Sequence, residues 1–117
     1  METLAIKQIS DTFSMGDLKS VYPYFDDEIQ WNIVGAPVII GKENVIAHCN
    51  KMLAEMASSS MNNTHHVVTD NTVVVQGYSS FTNQDNTPGK VEYCDIFRFN
   101  DNKLVGITSY IIEVLED

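Results

Sequence analysis

Four long segments with strand character fill the second half of this 117-residue chain and constrain its fold more than any other feature. Each segment is rich in β-branched and aromatic residues, and short polar stretches suited to turns separate one segment from the next. Links this short join antiparallel neighbours, so we expect one antiparallel sheet. The predicted strands are residues 64–69, 73–82, 90–99 and 104–114.

The first half of the chain has mainly helical patterns. Apolar residues recur at steps of three and four from Ile6 to Phe13 and predict a helix over residues 3–15. Asp17 is placed to cap a second helix, which Pro23 keeps short or kinked. The other predicted elements are a strand at 29–34, a short extended segment at 38–40, a helix at 42–57 and a polar loop at 58–63.

The order of these elements predicts the fold class. Helices come first and an antiparallel sheet follows, which indicates an α+β fold rather than alternating α/β. A long twisted sheet curls, so we expect it to wrap around the three helices and to leave a pocket between them. With 44% hydrophobic residues, the chain can bury one core, and we predict a single domain over residues 1–117.

The charge balance excludes several classes of partner. Sixteen acidic residues against seven basic ones give a formal net charge of −9. A surface this acidic repels nucleic-acid backbones and anionic lipids, so we expect neither as a partner.

The sequence has no apolar run of about 20 residues that could span a bilayer, and its start has no signal-peptide pattern. Cys49 and Cys94 then indicate free thiols in a reducing compartment, with a disulfide between them as the alternative, and we expect a cytoplasmic protein.

Three stretches of the sequence are similar to a known superfamily. They are Met15–Leu18 leading to Tyr24–Asp27, Trp31–Gly35 followed by Gly41, and Asp95–Asn100 followed by Lys103–Val105. Their order and spacing resemble the nuclear transport factor 2-like superfamily, which includes SnoaL-like proteins and ketosteroid isomerases. The resemblance implies a cone-shaped, cystatin-like α+β barrel made of one SnoaL-like domain, with an internal pocket for a small molecule.

The resemblance also assigns roles to three positions. Asp95 matches the protonated aspartate with which the isomerases hold the enolate oxygen. Asn32 stands where the isomerases have their carboxylate base, and an amide cannot take a proton at neutral pH. Ile9 stands where they have a tyrosine, and its side chain has no hydrogen-bond donor. We therefore do not expect steroid isomerisation by the family mechanism; an enzyme on this scaffold would be an isomerase, cyclase or hydratase without metal or cofactor.

Asp95 and His48 are the candidate catalytic residues. Asp95 shares one strand face with Tyr93 and Phe97, and burial on that face would raise its pKa and make it an acid or a hydrogen-bond donor. The alternative is a partly exposed Asp95, or one bound to a structural partner such as Tyr110. His48 lies at the border of the apolar stripe of its helix, where it is either an acid or base or an ordinary helix-flank residue.

The candidate ligand-binding residues are spread over the helices and strands. Trp31 and Asn32 point to opposite faces of their strand, and the resemblance places Asn32 inward. His65 and His66 are adjacent and have no ligand-forming partners at metal-binding spacing, so we expect no metal site. The candidate ligand-binding residues are Asn32, Trp31, Ile9, Phe13, Tyr93, Phe97 and Tyr110.

Two functions are compatible with these residues. The first is a pocket protein for a compact hydrophobic molecule, such as a polyketide-like ring or a steroid-like skeleton, with acid–base chemistry if it is an enzyme. The second is a non-catalytic binding module whose open sheet face forms a homodimer. The outward residues of that face would include Val74, Tyr78, Ile96 and Val105.

Overall fold

The computed structural model describes residues 3–55, 60–83 and 85–114. Over these ranges the chain forms two α-helices, one 3₁₀ helix and one sheet of six strands. In chain order the elements are α1 (Thr3–Ser14), the 3₁₀ helix (Lys19–Tyr24), β1 (Phe25–Ile33), β2 (Ile39–Ile40), α2 (Lys42–Glu55), β3 (Ser60–Val68), β4 (Thr72–Thr82), β5 (Pro88–Asn100) and β6 (Lys103–Glu113). The sheet order β2-β1-β6-β5-β4-β3 and the helices in the N-terminal half confirm the α+β class.

Both α-helices begin and end close to their predicted bounds. In α1 the predicted apolar face is buried, and Gly16 follows the helix with a φ of +90°, a left-handed conformation that glycine adopts without strain. The helix α2 ends at Glu55 in the structure, and residues 56 and 57 of the predicted helix lie outside the described residues. None of the described helices is long and apolar enough to cross a membrane.

The second predicted helix is a 3₁₀ helix, and its predicted cap is wrong. Pro23 lies inside it, as expected, and a single short stretch of 3₁₀ geometry accommodates the missing backbone donor. Leu18 holds the N-cap position, and no side chain caps the helix. The Asp17 carboxylate instead accepts a hydrogen bond from Ser20 Oγ at 2.8 Å, because both side chains lie at the surface of the turn.

Two strands begin four residues earlier than the sequence indicates. β1 begins at Phe25, and its pairing shifts register between Phe25 and Gln30. The predicted polar loop is wrong over residues 60–63, which form the start of β3 and pair with β4; residues 58 and 59 lie outside the described residues. The polar residues at the start of β3 fit a strand because a register shift between Asn63 and His65 and hydrogen bonds from Asn63 hold them against α1.

The sheet is antiparallel as predicted, except where β1 and β6 run parallel. A short link fixes the direction of neighbouring strands, but most of the chain separates these two, so the antiparallel argument does not apply to them. The sheet is curved and unclosed over the described residues, with α1 against β3, β4 and β5 and α2 against β1 and β2. The core lies between these helices and the concave face, and Phe25, Trp31 and Phe97 are its largest fully buried side chains.

Candidate functional site

A cavity of about 220 Å³ opens between the end of α1 and the concave face of the sheet. Its inner wall is aromatic: the Phe13 ring meets the Trp31 ring edge-on, with 5.2 Å between the ring centres. Most of the side chains around it are apolar, and the polar exceptions are three serines, one aspartate and one tyrosine. The lining residues are Phe13, Ser14, Gly16, Leu18, Trp31, Met52, Met61, Ser79, Phe81, Val91, Tyr93, Asp95, Ser109 and Ile111.

Asp95 is the buried carboxyl of this cavity, with 7% of its surface exposed. Ser14 Oγ, at the end of α1, donates to Asp95 Oδ2 at 2.8 Å, and Ser109, its register partner on β6, also hydrogen-bonds to the carboxyl. Trp31 Nε1 donates to Ser109 Oγ at 2.9 Å. Because Ser109 accepts from the indole, its single hydroxyl proton is free to point at Asp95.

Burial raises the pKa of Asp95, and the hydrogen bonds from Ser109 and Ser14 only partly oppose this rise. The neutral acid is therefore more stable relative to the carboxylate than it is in water. Both serines already donate to the carboxyl, so the proton of the neutral acid is the one that a ligand in the cavity can accept. This part of the site can act as a hydrogen-bond donor or as a general acid.

Tyr93 forms another wall of the cavity and belongs to a second polar network. Its hydroxyl donates to Asn63 Oδ1, and Asn63 Nδ2 donates to Asp11 Oδ1 at 2.6 Å. His66 Nε2 lies 2.7 Å from the same Asp11 oxygen. Burial, with Asp95 and Asp11 nearby, raises the pKa of Tyr93 to about 12, so its hydroxyl stays protonated and keeps its bond to Asn63.

The predicted site residues divide according to where the structure places them. Phe13, Trp31, Tyr93 and Asp95 line the cavity. Phe97 is fully buried, with its ring centre 5.4 Å from that of Phe13, and it supports the wall from within the core. The roles that we assigned to these residues from the sequence remain predictions.

Ile9 and His48 are not among the described residues that line the cavity. Ile9 is a buried core residue on the same face of α1 as Phe13, but it lies one turn earlier in the helix, whereas the cavity lies at the helix end. His48 on α2 contacts the Trp31 ring edge-on, with 5.4 Å between the ring centres. The structure therefore does not bring His48 and Asp95 together in one cavity.

The predicted inward positions of Asn32 and Tyr110 are wrong. Trp31 is 2% exposed and faces the cavity, so strand alternation turns its neighbour Asn32 to the outer face, where it pairs with Thr108. Tyr110 is 43% exposed for the same reason, since it follows the inward Ser109 on β6. Neither side chain is among the described residues around the cavity.

Sequence reasoning missed the serines and the network behind Tyr93. Ser109 could be found once the β5–β6 register is known, because it stands opposite Asp95. Ser14 is harder to predict. The sequence shows that it follows Phe13 at the end of a helix, but not how close that helix end lies to the sheet. Among the described residues, no group of three or more His, Cys, Asp or Glu side chains is placed to hold a metal ion.

A sequence profile of the SnoaL-like domain matches residues 6–107, most of the chain. The chain belongs to the SnoaL-like domain family. It is also similar to a nuclear transport factor 2-like protein of unknown function from Cytophaga hutchinsonii, with 38% sequence identity over 94% of this chain and 98% of that chain, and a TM-score of 0.91. Among curated proteins, none matches this SnoaL-like chain significantly.

More distant solved structures share the fold of this SnoaL-like domain. A putative SnoaL-like polyketide cyclase from Jannaschia sp. is 13% identical over 94% of this chain and 86% of that chain, with a TM-score of 0.76. SalBIII, an epoxide hydrolase/cyclase-like enzyme in pyran ring formation of salinomycin, is 17% identical over 91% and 86%, with a TM-score of 0.71. At these identities, the two likenesses show a shared fold.

Proposed function

We propose that this SnoaL-like domain binds a compact, mainly apolar molecule that presents a hydrogen-bond acceptor to the neutral Asp95 carboxyl. One observation carries the proposal: an almost completely buried carboxyl, held by two serine hydroxyls, faces an apolar cavity. Apolar pockets with a few placed polar groups are the usual form of a small-molecule site. The apolar walls supply affinity, and the acid fixes the orientation of the ligand.

The cavity volume limits the size of the ligand. An apolar cavity of about 150 Å³ holds benzene, and pockets for drug-sized ligands span about 300–1,000 Å³. At about 220 Å³, this cavity suits one substituted ring. A four-ring steroid skeleton exceeds that space, so of the two ligand types considered from the sequence we propose the smaller ring.

The chemistry that we propose for the site is proton donation by Asp95. Of the described residues around the cavity, Asp95 contributes the one carboxyl. The Tyr93 hydroxyl already donates a hydrogen bond to Asn63. A neutral acid against a carbonyl or epoxide oxygen stabilises the negative charge that develops there during enolisation, cyclisation or hydration. The site therefore fits cofactor-free cyclase or hydratase chemistry, in which Asp95 protonates the acceptor oxygen and regains a proton from the hydroxyl or water that attacks the carbon. It fits isomerase chemistry if the Asp95 carboxylate, once it has given its proton to the oxygen, takes the carbon-bound proton.

Binding of simple probes tests the acid directly. Acetophenone and ethylbenzene have a similar size and shape, but only acetophenone offers a carbonyl acceptor. In calorimetric titrations we expect the wild type to bind acetophenone more tightly by up to about tenfold, as one hydrogen bond in a buried site allows. Asp95→Leu should remove this preference, and Asp95→Asn, which keeps an N–H donor, should retain part of it.

The pH dependence provides the matching control for protonation. Because the donor is the neutral acid, acetophenone binding should weaken as the pH rises through the raised pKa of Asp95, while ethylbenzene binding should stay constant. In Asp95→Asn the acetophenone affinity should not change with pH. Equal affinities for the two probes in the wild type at every pH would contradict the proposed role of Asp95.

A second candidate function, self-association through the outer sheet face, is favoured by the apolar side chains on that face. Ile112, Val67 and Tyr110 are 66%, 58% and 43% exposed, on a face that also carries Val74 and Ile96. Exposed apolar side chains at this density are typical of interaction surfaces. We propose a homodimer that leaves the cavity open, and sedimentation equilibrium of the wild type against Ile112→Asp should show a dimer that weakens in the variant.

We further propose a reducing compartment such as the cytoplasm for this protein. The structure supports the proposal because Cys49 and Cys94 are both free thiols, and Cys49 is buried. Free thiols persist where thiols are kept reduced. Fractionation of cells that express the protein tests it, and recovery outside the cytoplasm would contradict it.

A further inference from the structure

A second cavity of about 530 Å³ adjoins the first at the end of the β4–β5 hairpin. Phe81 and Val91 line both cavities, so these two side chains stand between them. The second cavity is more polar, since Ser80, Asn83 and the charged residues Lys90 and Glu113 line it. A molecule that extends beyond the first cavity in this direction has to pass Phe81 or Val91.

Phe81 is held in place by the glycine opposite it. Gly89 is its register partner on β5, and the Phe81 ring lies directly against the Gly89 backbone. A Cβ at position 89 would come within 2.6 Å of Phe81 Cζ and 2.9 Å of Phe81 Cδ2, closer than real side chains pack. The ring therefore occupies a space that exists because residue 89 has no side chain.

We propose that Phe81 is the specificity-determining residue that limits the length of the ligand. This inference rests on the proposed function, because it concerns the same cavity. The Phe81 ring closes the first cavity on the side of the second, so a ring with short substituents fits and a ring with a longer chain does not. Without the ring, the two cavities join, and a chain can pass into the larger space.

Two phenyl ketones of different length provide the probes. Acetophenone and hexanophenone share the ring and the carbonyl, and hexanophenone has four more methylene groups. Each buried methylene contributes enough to tighten binding several-fold, so a chain that finds room should raise the affinity by more than about tenfold. In the wild type, hexanophenone should bind no more tightly than acetophenone.

The variants change the length limit and leave the acid in place. In Phe81→Ala, the ratio of the hexanophenone affinity to the acetophenone affinity should rise at least about tenfold over the wild type, as measured by titration calorimetry. Phe81→Leu keeps an apolar side chain of intermediate size and should give an intermediate ratio, even if Phe81→Ala fails to fold. Tyr78→Ala removes an aromatic ring from the opposite face of the same strand and should leave the ratio unchanged.

The outcomes separate the length limit from the proposed function. If the wild type binds acetophenone and the affinity ratio is the same in the wild type, Phe81→Leu and Phe81→Ala, the length limit is overturned and the proposed function stands. A wild type that binds hexanophenone more than tenfold more tightly than acetophenone also overturns the length limit. If the folded wild type binds neither ketone, both proposals are overturned.

Discussion

Substitution of Gly77 by alanine tests how closely the cavity wall is packed. Gly77 on β4 stands opposite Tyr93 on β5, and the Tyr93 ring lies over the glycine. A Cβ at position 77 would lie 2.6 Å from Tyr93 Oη and 2.7 Å from Tyr93 Cζ, and it would overlap the backbone carbonyl oxygen of Asn62. The neighbouring strand cannot move away easily, because β3 is paired with β4 on both sides of this point.

The cost of Gly77→Ala follows from these contacts. Overpacking of a buried site costs about 1–3 kcal/mol, and loss of the hydrogen bond from Tyr93 to Asn63 adds about 1 kcal/mol. Alanine restricts the unfolded chain and returns about 0.4–1 kcal/mol. The free energy of unfolding should therefore fall by about 2 kcal/mol. With an unfolding entropy of about 2.1 cal/mol/K per residue, this corresponds to a Tm lowered by about 8 °C.

Gly106→Ala is the matched control for this measurement. Gly106 is also a buried strand glycine without a positive φ, but its added Cβ would meet the guanidinium of Arg98 at 2.6 Å. That side chain is exposed and can swing away, at the cost of one surface hydrogen bond to Thr108. We expect a Tm close to that of the wild type. Equal Tm values for both variants in differential scanning calorimetry would refute the packing argument.

Three further predictions concern the two polar networks. Because the pKa of Asp95 is raised, its contribution to stability is complete below the usual carboxyl pKa and is lost as the pH rises through the raised value. Urea unfolding across this range should show a decline in the free energy of unfolding, and Asp95→Asn should remove this decline. The pKa of Asp11 is lowered, so its contribution to stability is present at neutral pH and is lost in acid. Asp11→Asn should therefore lower the free energy of unfolding at neutral pH, and the variant and the wild type should be equally stable in acid. Trp31→Phe removes the donor to Ser109 and should cost about 1–2 kcal/mol in the same assay; an unchanged unfolding midpoint would exclude a contribution from that hydrogen bond.

The position of Asp95 could be predicted because strand alternation is a local property. Tyr93, Asp95 and Phe97 alternate along β5 and share one face, so Asp95 is inward if the two aromatic residues are, and the structure buries all three. The length of the strands and their short links predicted most of the sheet for the same reason. These features depend on neighbouring residues alone, and the sequence contains all of that information.

The errors arose where the argument depended on distant residues. The match to a family position places Asn32 inward, but the bulky apolar Trp31 beside it competes for the inward direction, and burial of the indole decides the strand orientation. The parallel pairing of β1 with β6 and the contact of Ser14 with Asp95 join segments far apart in the chain. No spacing rule predicts such a contact, because it depends on how α1 lies across the finished sheet.

The position of α1 also decides which of two aspartates has a raised pKa. Asp11 and Asp95 each accept hydrogen bonds from two side chains, yet their pKa values move in opposite directions. Burial raises the pKa of both groups. The Asp11 side chain is 40% exposed, however, so the hydrogen bonds from Asn63 and His66, which lower its pKa, outweigh the effect of burial. Asp95 is 7% exposed, and burial prevails there. A change that lifts α1 from the sheet would admit water to Asp95 and break its hydrogen bond from Ser14. Because burial has the larger effect, the pKa of Asp95 should fall, and the proposed neutral donor would be lost.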